Sequence, residues 1–408
     1  MTTLGTFHMR QRLLDLDAGY LCFVTGFVLW LVCRILLTTT VADTAVGSAV
    51  GTLVKVGALL CLCSEVFARR FTRGSLVLLL SFALCALNVH RVGGLDPLYL
   101  LCVAYTSRHY PLKSILAPVL IVTIATCLAV ATLALLQVIP DVTSVTGSRE
   151  RYSLGFNWVT FPSHYYLEIV IVFAVLRRGR LTRRQLVLLL VLDFVLFEIT
   201  DSRNSFVLTA VFLVVIYVLQ RRGALATGYA MPPWLNRLLT YSFLLGLGIS
   251  VLIYVLPSPS SGLGVQLNAL LSKRVVYTQA AIATYGISPL GTQVTWVTQS
   301  LIRAGQYSAS QYLYVDCSYL NIAINYGWVF LTFVLGLLTV ATRRSLQTAD
   351  LTLAIGLAFF AIHEVVDPQL LDLHYCLPLV LVDNALDPLD VWTDKMRGLE
   401  PIVPDDPS

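Results

Sequence analysis

Arginine side chains at the ends of apolar runs are the groups in this sequence best suited to chemistry. The turn TDSRNSF, residues 200–206, holds Arg203 beside Asp201 in a span of four or five residues between two apolar runs. Seryl and asparaginyl residues at the start of the next helix leave backbone N–H groups unbonded, and a guanidinium beside such a helix end forms an anion site. Arg149 and Arg151 precede SLGFNW, Lys273 and Arg274 open the stretch KRVVYTQAAIATY, and Arg303 follows it. Taken singly, each is ordinarily a solvated or snorkelling charge. As a set, with few acids nearby to neutralise them, they suit a lipid diphosphate, whose phosphate oxygens accept bidentate hydrogen bonds from guanidinium groups. Charge alone fits sialic acids, teichoic phosphates or anionic lipid heads equally well.

The elements that position these residues follow from composition. The chain has 408 residues, of which 57% are hydrophobic and 12% charged, and its mean hydropathy is +0.77. Soluble domains carry about 25% charged residues, so this composition excludes them and predicts an integral membrane protein. At ~20 residues per spanning helix, apolar runs at 20–39, 46–68, 75–90, 94–106, 114–139, 162–176, 185–200, 205–219, 238–256, 317–341, 351–366 and 370–384 predict an all-α polytopic protein of about twelve transmembrane helices. Runs 94–106 and 370–384 are short and contain Pro or Asp. The expected organisation is nine spans over residues 1–256, an external loop with an interfacial helix over 257–316, three spans over 317–384, and a cytoplasmic tail over 385–408. The first run is too long for a cleaved leader and reads as a retained span. The last ten residues, LEPIVPDDPS, read as disordered.

Charge tests this topology. With both termini cytoplasmic, nineteen basic residues fall in cytoplasmic segments, while Arg91, Arg149, Arg151, Arg203, Lys273, Arg274 and Arg303 fall outside. Every cytoplasmic loop then satisfies the positive-inside rule. Arg34 and Lys55 lie within spans, as does Asp193, and charges there are expected to be paired inside the protein. Glu198 and Glu364, near outer span ends, are expected to meet an external arginine or the substrate. Eight of nine cysteines sit in apolar runs, so no disulfide or cysteine-bound metal is expected. Aromatic residues including Trp158, Tyr165, Tyr166, Tyr285, Trp296, Tyr312, Tyr314 and Tyr319 gather on the outer side. They suit an interfacial belt or stacking against sugar faces.

Four stretches resemble one family. RERYSLGFNWVTFPSHYYLEI is similar to the R-x-S-L-G-F segment of bacterial O-antigen and capsule polymerases, and ITDSRNSFVLTAVFLVV to the S-R motif of the O-antigen ligase and polymerase superfamily. KRVVYTQAAIATYGISPLGTQ resembles that superfamily's external loop, where a basic residue opens a helix and a P-x-G turn follows. DCSYLNIAINYGWVFLTFVLGLL resembles the segment leading into the next span. The stretches occur in the family's order and cover roughly the second half of the chain. The resemblance implies a GT-C-like, metal-independent glycosyltransferase without cofactor in the bacterial cytoplasmic membrane. It would use undecaprenyl-diphosphate-linked oligosaccharide as donor and acceptor on the external face. It further implies that Arg203 and Arg274 hold the diphosphate and that Arg151 matches the basic position before S-L-G-F. Arg151, Arg149, Lys273, Arg303, His164 and Tyr319 are candidate substrate contacts. Membrane lipid and a chain-length regulator are the expected partners, and nucleic acid is not.

Where ligases of the superfamily carry His-Asn, this chain has Asp316-Cys317. Asp316 in that place is either a general base or the group that orients an arginine, and it favours polymerase over ligase. His164 beside two tyrosines is ordinarily a structural hydrogen-bonder and alternatively catalytic. A transporter without chemistry is the reading from another class. Major-facilitator transporters repeat their halves, and no repeat is visible here.

Overall fold

The structure of the protein, a computed structural model, describes residues 3–67, 79–80, 83, 96–146, 149–225, 231–348, 350–372, 377–382 and 384–396. It is helical, with a single two-stranded sheet among the described residues. Among the described residues, five helices are long and apolar enough to cross a membrane: Ala18–Leu37, Ala45–Val66, Leu112–Leu135, Arg203–Arg221 and Trp328–Gln347. Pro233–Thr240 and Ser242–Val255, bent by 64°, add a sixth if they form one broken span. This is membrane-protein character; among the described residues fewer helices reach full crossing length than the twelve expected. Phe161–Leu176 and Leu351–His363 are apolar but short; at 1.5 Å per residue, 13 residues extend about 20 Å against a hydrocarbon core of ~30 Å. The expected span 75–90 falls almost wholly outside the described residues, as do Arg91 and the tail 399–408.

Two compact units form, each from separate stretches of chain. The first takes Met1–Leu78, Tyr99–Tyr229 and Leu373–Ser408. In it α1 (Thr3–Leu37) lies along α2 (Ala45–Cys63). The approach is tight because Gly26 meets Gly57: a Cβ on Gly26 would stand 2.7 Å from the Gly57 carbonyl oxygen, and one on Gly57 2.8 Å from that of Gly26. Small residues permit such contact between membrane helices. The Cys22 and Cys61 thiols donate across it to the carbonyls of Leu60 and Phe23 at 3.3 and 3.6 Å. After α3 (Asp96–Ser107) come α4 (Leu112–Leu135), the hairpin β1 (Thr143–Thr146) and β2 (Arg149–Tyr152), α5 (Phe161–Leu176), α6 (Arg183–Thr200) and α7 (Arg203–Arg221). Helix α5 is apolar and buried almost all round, and α4, α6 and α7 pack on it.

The same unit corrects two expectations at the C-terminal end. The run 370–384 contains no α-helix among its described residues, only the 3-10 turn Leu377–Val380. Pro378 removes a helix donor there, and Leu377, Leu379, Val380 and Leu381 are buried, so the apolar run fills protein interior. Part of the expected tail is also packed. Helix Leu389–Lys395 buries Trp392 and Lys395, and the Lys395 ammonium donates to the Val380 carbonyl at 2.6 Å and to Asn384 Oδ1 at 2.7 Å.

The second unit takes Leu79–Leu98 and Ala230–Asp372. It holds α8 (Pro233–Thr240), α9 (Ser242–Ser250) continuing into a π-turn (Val251–Val255), α10 (Gly262–Leu270), α11 (Arg274–Tyr285), α12 (Gln299–Arg303), α13 (Ser318–Asn325), α14 (Trp328–Gln347) and α15 (Leu351–His363). The expected continuous span 317–341 is broken between α13 and α14 at Gly327, whose φ is +89°. The P-x-G turn of residues 289–291 docks on this break. The Ser288 and Pro289 carbonyls accept from the N–H groups of Trp328 and Val329, both at 3.2 Å, and Thr292 N–H donates to the Ile324 carbonyl at 3.0 Å. Groups orphaned at the two helix ends are thereby bonded, and no side chain fits at Gly327, where a Cβ would strike the Pro289 carbonyl.

Candidate functional site

In the second unit, Arg274 opens α11 after a reversal that places Ser272 and Lys273 at positive φ, +53° and +69°. L-residues seldom adopt that region; the Lys273 N–H is held by the Asn268 carbonyl at 2.8 Å and the Val276 N–H by Asn268 Oδ1 at 3.1 Å. The turn delivers the Arg274 guanidinium to two acceptors. Nε stands 3.0 Å from Asp316 Oδ2, and Nη1 donates to the Val366 carbonyl at 2.7 Å. A guanidinium has five N–H donors, so these two contacts leave three for a ligand. The pair is partly open, with 27% of the Arg274 side chain and 22% of that of Asp316 exposed. Burial pushes the Asp316 carboxyl up to about 6; Arg274 opposes that rise and Asp367 adds to it. The carboxylate therefore orients a guanidinium and titrates near neutrality, and the geometry suits both roles read for Asp316.

The two acceptors are themselves fixed. A bridge between Val297 and Leu313 closes the loop before Asp316. Beyond α15, the Glu364 carboxylate accepts from the Ser318 hydroxyl and, at 3.1 Å, from the Gln369 N–H. Ser318 Oγ also lies 2.9 Å from the Asp367 carbonyl oxygen and accepts from Leu370 N–H at 3.0 Å. Glu364 thus ties the loop carrying Val366 to the start of α13, a role read neither as an arginine partner nor as a substrate contact. Ser318, Asp367 and Gln369 were not singled out from sequence. The signal for Asp367 and Gln369 is the polar cluster HEVVDPQ ending an apolar run.

In the first unit, the S-L-G-F segment has a clear local cause. Asp141 Oδ1 accepts from Ser153 N–H (3.1 Å), Ser153 Oγ (2.8 Å) and Gly155 N–H (3.1 Å). The Gly155 carbonyl accepts from Thr40 N–H at 3.0 Å, and Asn157 N–H donates to the Thr38 carbonyl at 2.8 Å. With β2 so anchored, Arg151 Nε donates to the Thr200 carbonyl at 2.7 Å and its Nη2 lies 3.5 Å from the Asp201 carbonyl. Those carbonyls end α6, where Asp201 closes the helix in the left-handed conformation, φ +44°. Arg203, the first residue of α7, sits 3.3 Å from Asp201 Oδ1 with 70% of its side chain exposed. Arg151 therefore braces the turn that presents Arg203, where sequence reading made it a substrate contact.

The remaining candidates disperse. Lys273 and Arg303 are exposed at the start of α11 and the end of α12. Arg149 lies on β2, its side chain outside the described residues. His164 is buried in α5, 6.1 Å from the Phe161 ring. Tyr319 is fully buried and donates its hydroxyl to the Ala361 carbonyl at 2.8 Å. Asp193 is buried in α6. Lys55, expected to be paired, is exposed on α2 and makes no ion pair among the described residues. The loop aromatics pack on each other, Tyr277 with Tyr312 at 4.8 Å and Trp296 with Tyr314 at 5.5 Å. No protein family, curated protein or solved structure matches this chain.

Proposed function

We propose that the protein is a membrane glycosyltransferase that polymerises undecaprenyl-diphosphate-linked oligosaccharide units on the external face of the bacterial cytoplasmic membrane. A GT-C-like multi-span membrane domain belongs to this reading, and 257–316 is its external loop. The observation that carries it is the Arg274–Asp316 pair, a guanidinium aimed by a carboxylate and a backbone carbonyl with three N–H donors left over. It lies in stretches that resemble the polymerase loop. A departing lipid diphosphate gains negative charge in the transition state, and a donor already oriented toward it stabilises that change most; one such contact is worth on the order of 10²- to 10³-fold in rate. Arg203, exposed at the start of α7, is assigned to the same class of anion. The test is to incubate purified protein with a lipid-linked repeat unit. A ladder of products supports polymerisation, transfer to a different acceptor identifies a ligase, and neither outcome leaves a transporter.

A further inference from the structure

The Tyr254 hydroxyl is fully buried and has no hydrogen-bond partner among the described residues. A buried hydroxyl left unbonded costs about 1–3 kcal/mol, and native proteins keep few such groups without a reason. Tyr254 also sits in the π-turn Val251–Val255, a distortion that recurs at functional sites because it re-aims a side chain at the expense of regular bonding. The π-turn packs against α11, and Gln279 Nε2 fixes the two together by donating to the Pro257 carbonyl at 2.8 Å. Arg274, Asp316 and Asp367 are among the charged groups near enough to act on the phenol. Thr278 repeats the pattern. It lies four residues after Arg274 and so on the same face of α11, and its hydroxyl is likewise buried and unbonded. On α11, which carries a guanidinium with three spare N–H groups, and on the π-turn packed against it, two hydroxyls thus lack acceptors among the described residues. A surplus of donors is what an oxyanion with several acceptor oxygens would balance.

We propose that Tyr254 is a catalytic residue whose phenol donates a hydrogen bond to a phosphate oxygen of the diphosphate held at Arg274, with the Thr278 hydroxyl as a second donor. This depends on the reading of Arg274 as a diphosphate site and adds the groups that complete it.

The test uses the full-length protein in detergent, with binding of farnesyl diphosphate measured by calorimetry and farnesol as the uncharged control. Tyr254→Phe removes one oxygen from a packed ring and breaks no bond within the protein. Its apo melting temperature should match or exceed wild type, while farnesyl diphosphate binds about 10- to 100-fold more weakly, the loss of a hydrogen bond to a charged group. Thr278→Val should weaken binding in the same direction, and Arg274→Ala should abolish it. If Tyr254→Phe and Thr278→Val bind like wild type while Arg274→Ala does not, the proposal is overturned and the diphosphate reading stands. A lowered apo melting temperature in Tyr254→Phe makes the hydroxyl structural and also overturns it. Wild-type binding by Arg274→Ala overturns both. Inorganic diphosphate separates sources: much weaker binding than farnesyl diphosphate supports a lipid headgroup, and equal affinity overturns the lipid assignment.

Discussion

Asp316→Asn separates the two roles open to this carboxylate, because the size and the pH dependence of its effect differ between them. Burial lifts Asp316 from an ordinary carboxylate value to about 6, with Arg274 opposing and Asp367 reinforcing the shift. The carboxylate is then about 10% ionised at pH 5 and about 90% at pH 7. Since either role needs the ionised form, wild-type activity should rise about tenfold between those values and level off above them. Asparagine keeps an oxygen near Arg274 Nε but has no charge to titrate. The Val366 carbonyl still holds Nη1 at 2.7 Å, so the guanidinium loses one of two anchors. A hydrogen bond to a charged group is worth about 1.5–3 kcal/mol, and the lower end applies while the second anchor remains. If Asp316 only orients Arg274, the variant should lose roughly tenfold at pH 7 and equal wild type at pH 5. If Asp316 is the general base, the loss should reach about 10²- to 10⁴-fold. The assay is the initial rate of chain extension in proteoliposomes supplied with lipid-linked repeat unit, from pH 5 to 8. A wild-type rate that is flat across this range, or a variant that keeps the rise near 6, refutes the reasoning.

Arg151→Met should leave insertion intact but open the turn before α7, because the Thr200 carbonyl loses its 2.7 Å donor; faster proteolysis near 201 together with a several-fold lower rate is the expected pair of results, and unchanged proteolysis counts against the bracing role. Gly57→Leu places a side chain against the backbone of α1, where even a Cβ has 2.7 Å. Overpacking of this kind costs about 1–3 kcal/mol or more, and a melting temperature in detergent equal to wild type would contradict the tight crossing. Gly327→Ala puts a Cβ at φ +89° against the Pro289 carbonyl, so it should reduce folded yield more than Gly248→Ala, whose Cβ would meet nothing within 4 Å.

Much of this structure was legible because hydropathy reports burial over a window of residues. The runs at 114–139, 162–176 and 205–219 became helices close to their expected limits, and 20–39 forms most of the longer helix Thr3–Leu37. The same averaging hid what interrupts a run. IAINYGWVF is apolar on both sides of Gly327, and only a contact from residues 288–291 makes that glycine a break. LLDLHYCLPLVLVD is apolar enough to span, yet its described part packs as a turn inside protein. The hairpin at 143–152 carries no hydropathy signal because its strands are short and polar. The joining of Arg274 to Asp316, 42 positions apart in sequence, depends on chain folding that no local pattern carries. Residue type marked both members of that pair, and tertiary structure supplied the partnership.

The interruptions are also where the chemistry gathers. In hydrocarbon an unbonded backbone group costs several kcal/mol, so irregular backbone at membrane depth persists only where protein or a polar cavity surrounds it. In the second unit the guanidinium of Arg274 is held by Val366, just past the end of α15, and by Asp316, just before α13, while its helix packs on the π-turn at Val251–Val255. Each of these is a place where an apolar run stops being a regular helix. The turn at 288–291, which follows α11, then caps the break at Gly327. A single polar residue within an apolar run is therefore a weaker guide than a helix interruption with polar residues at its edge. By that criterion HEVVDPQ and the π-turn holding Tyr254 point to the same site as Arg274, although neither contains an arginine.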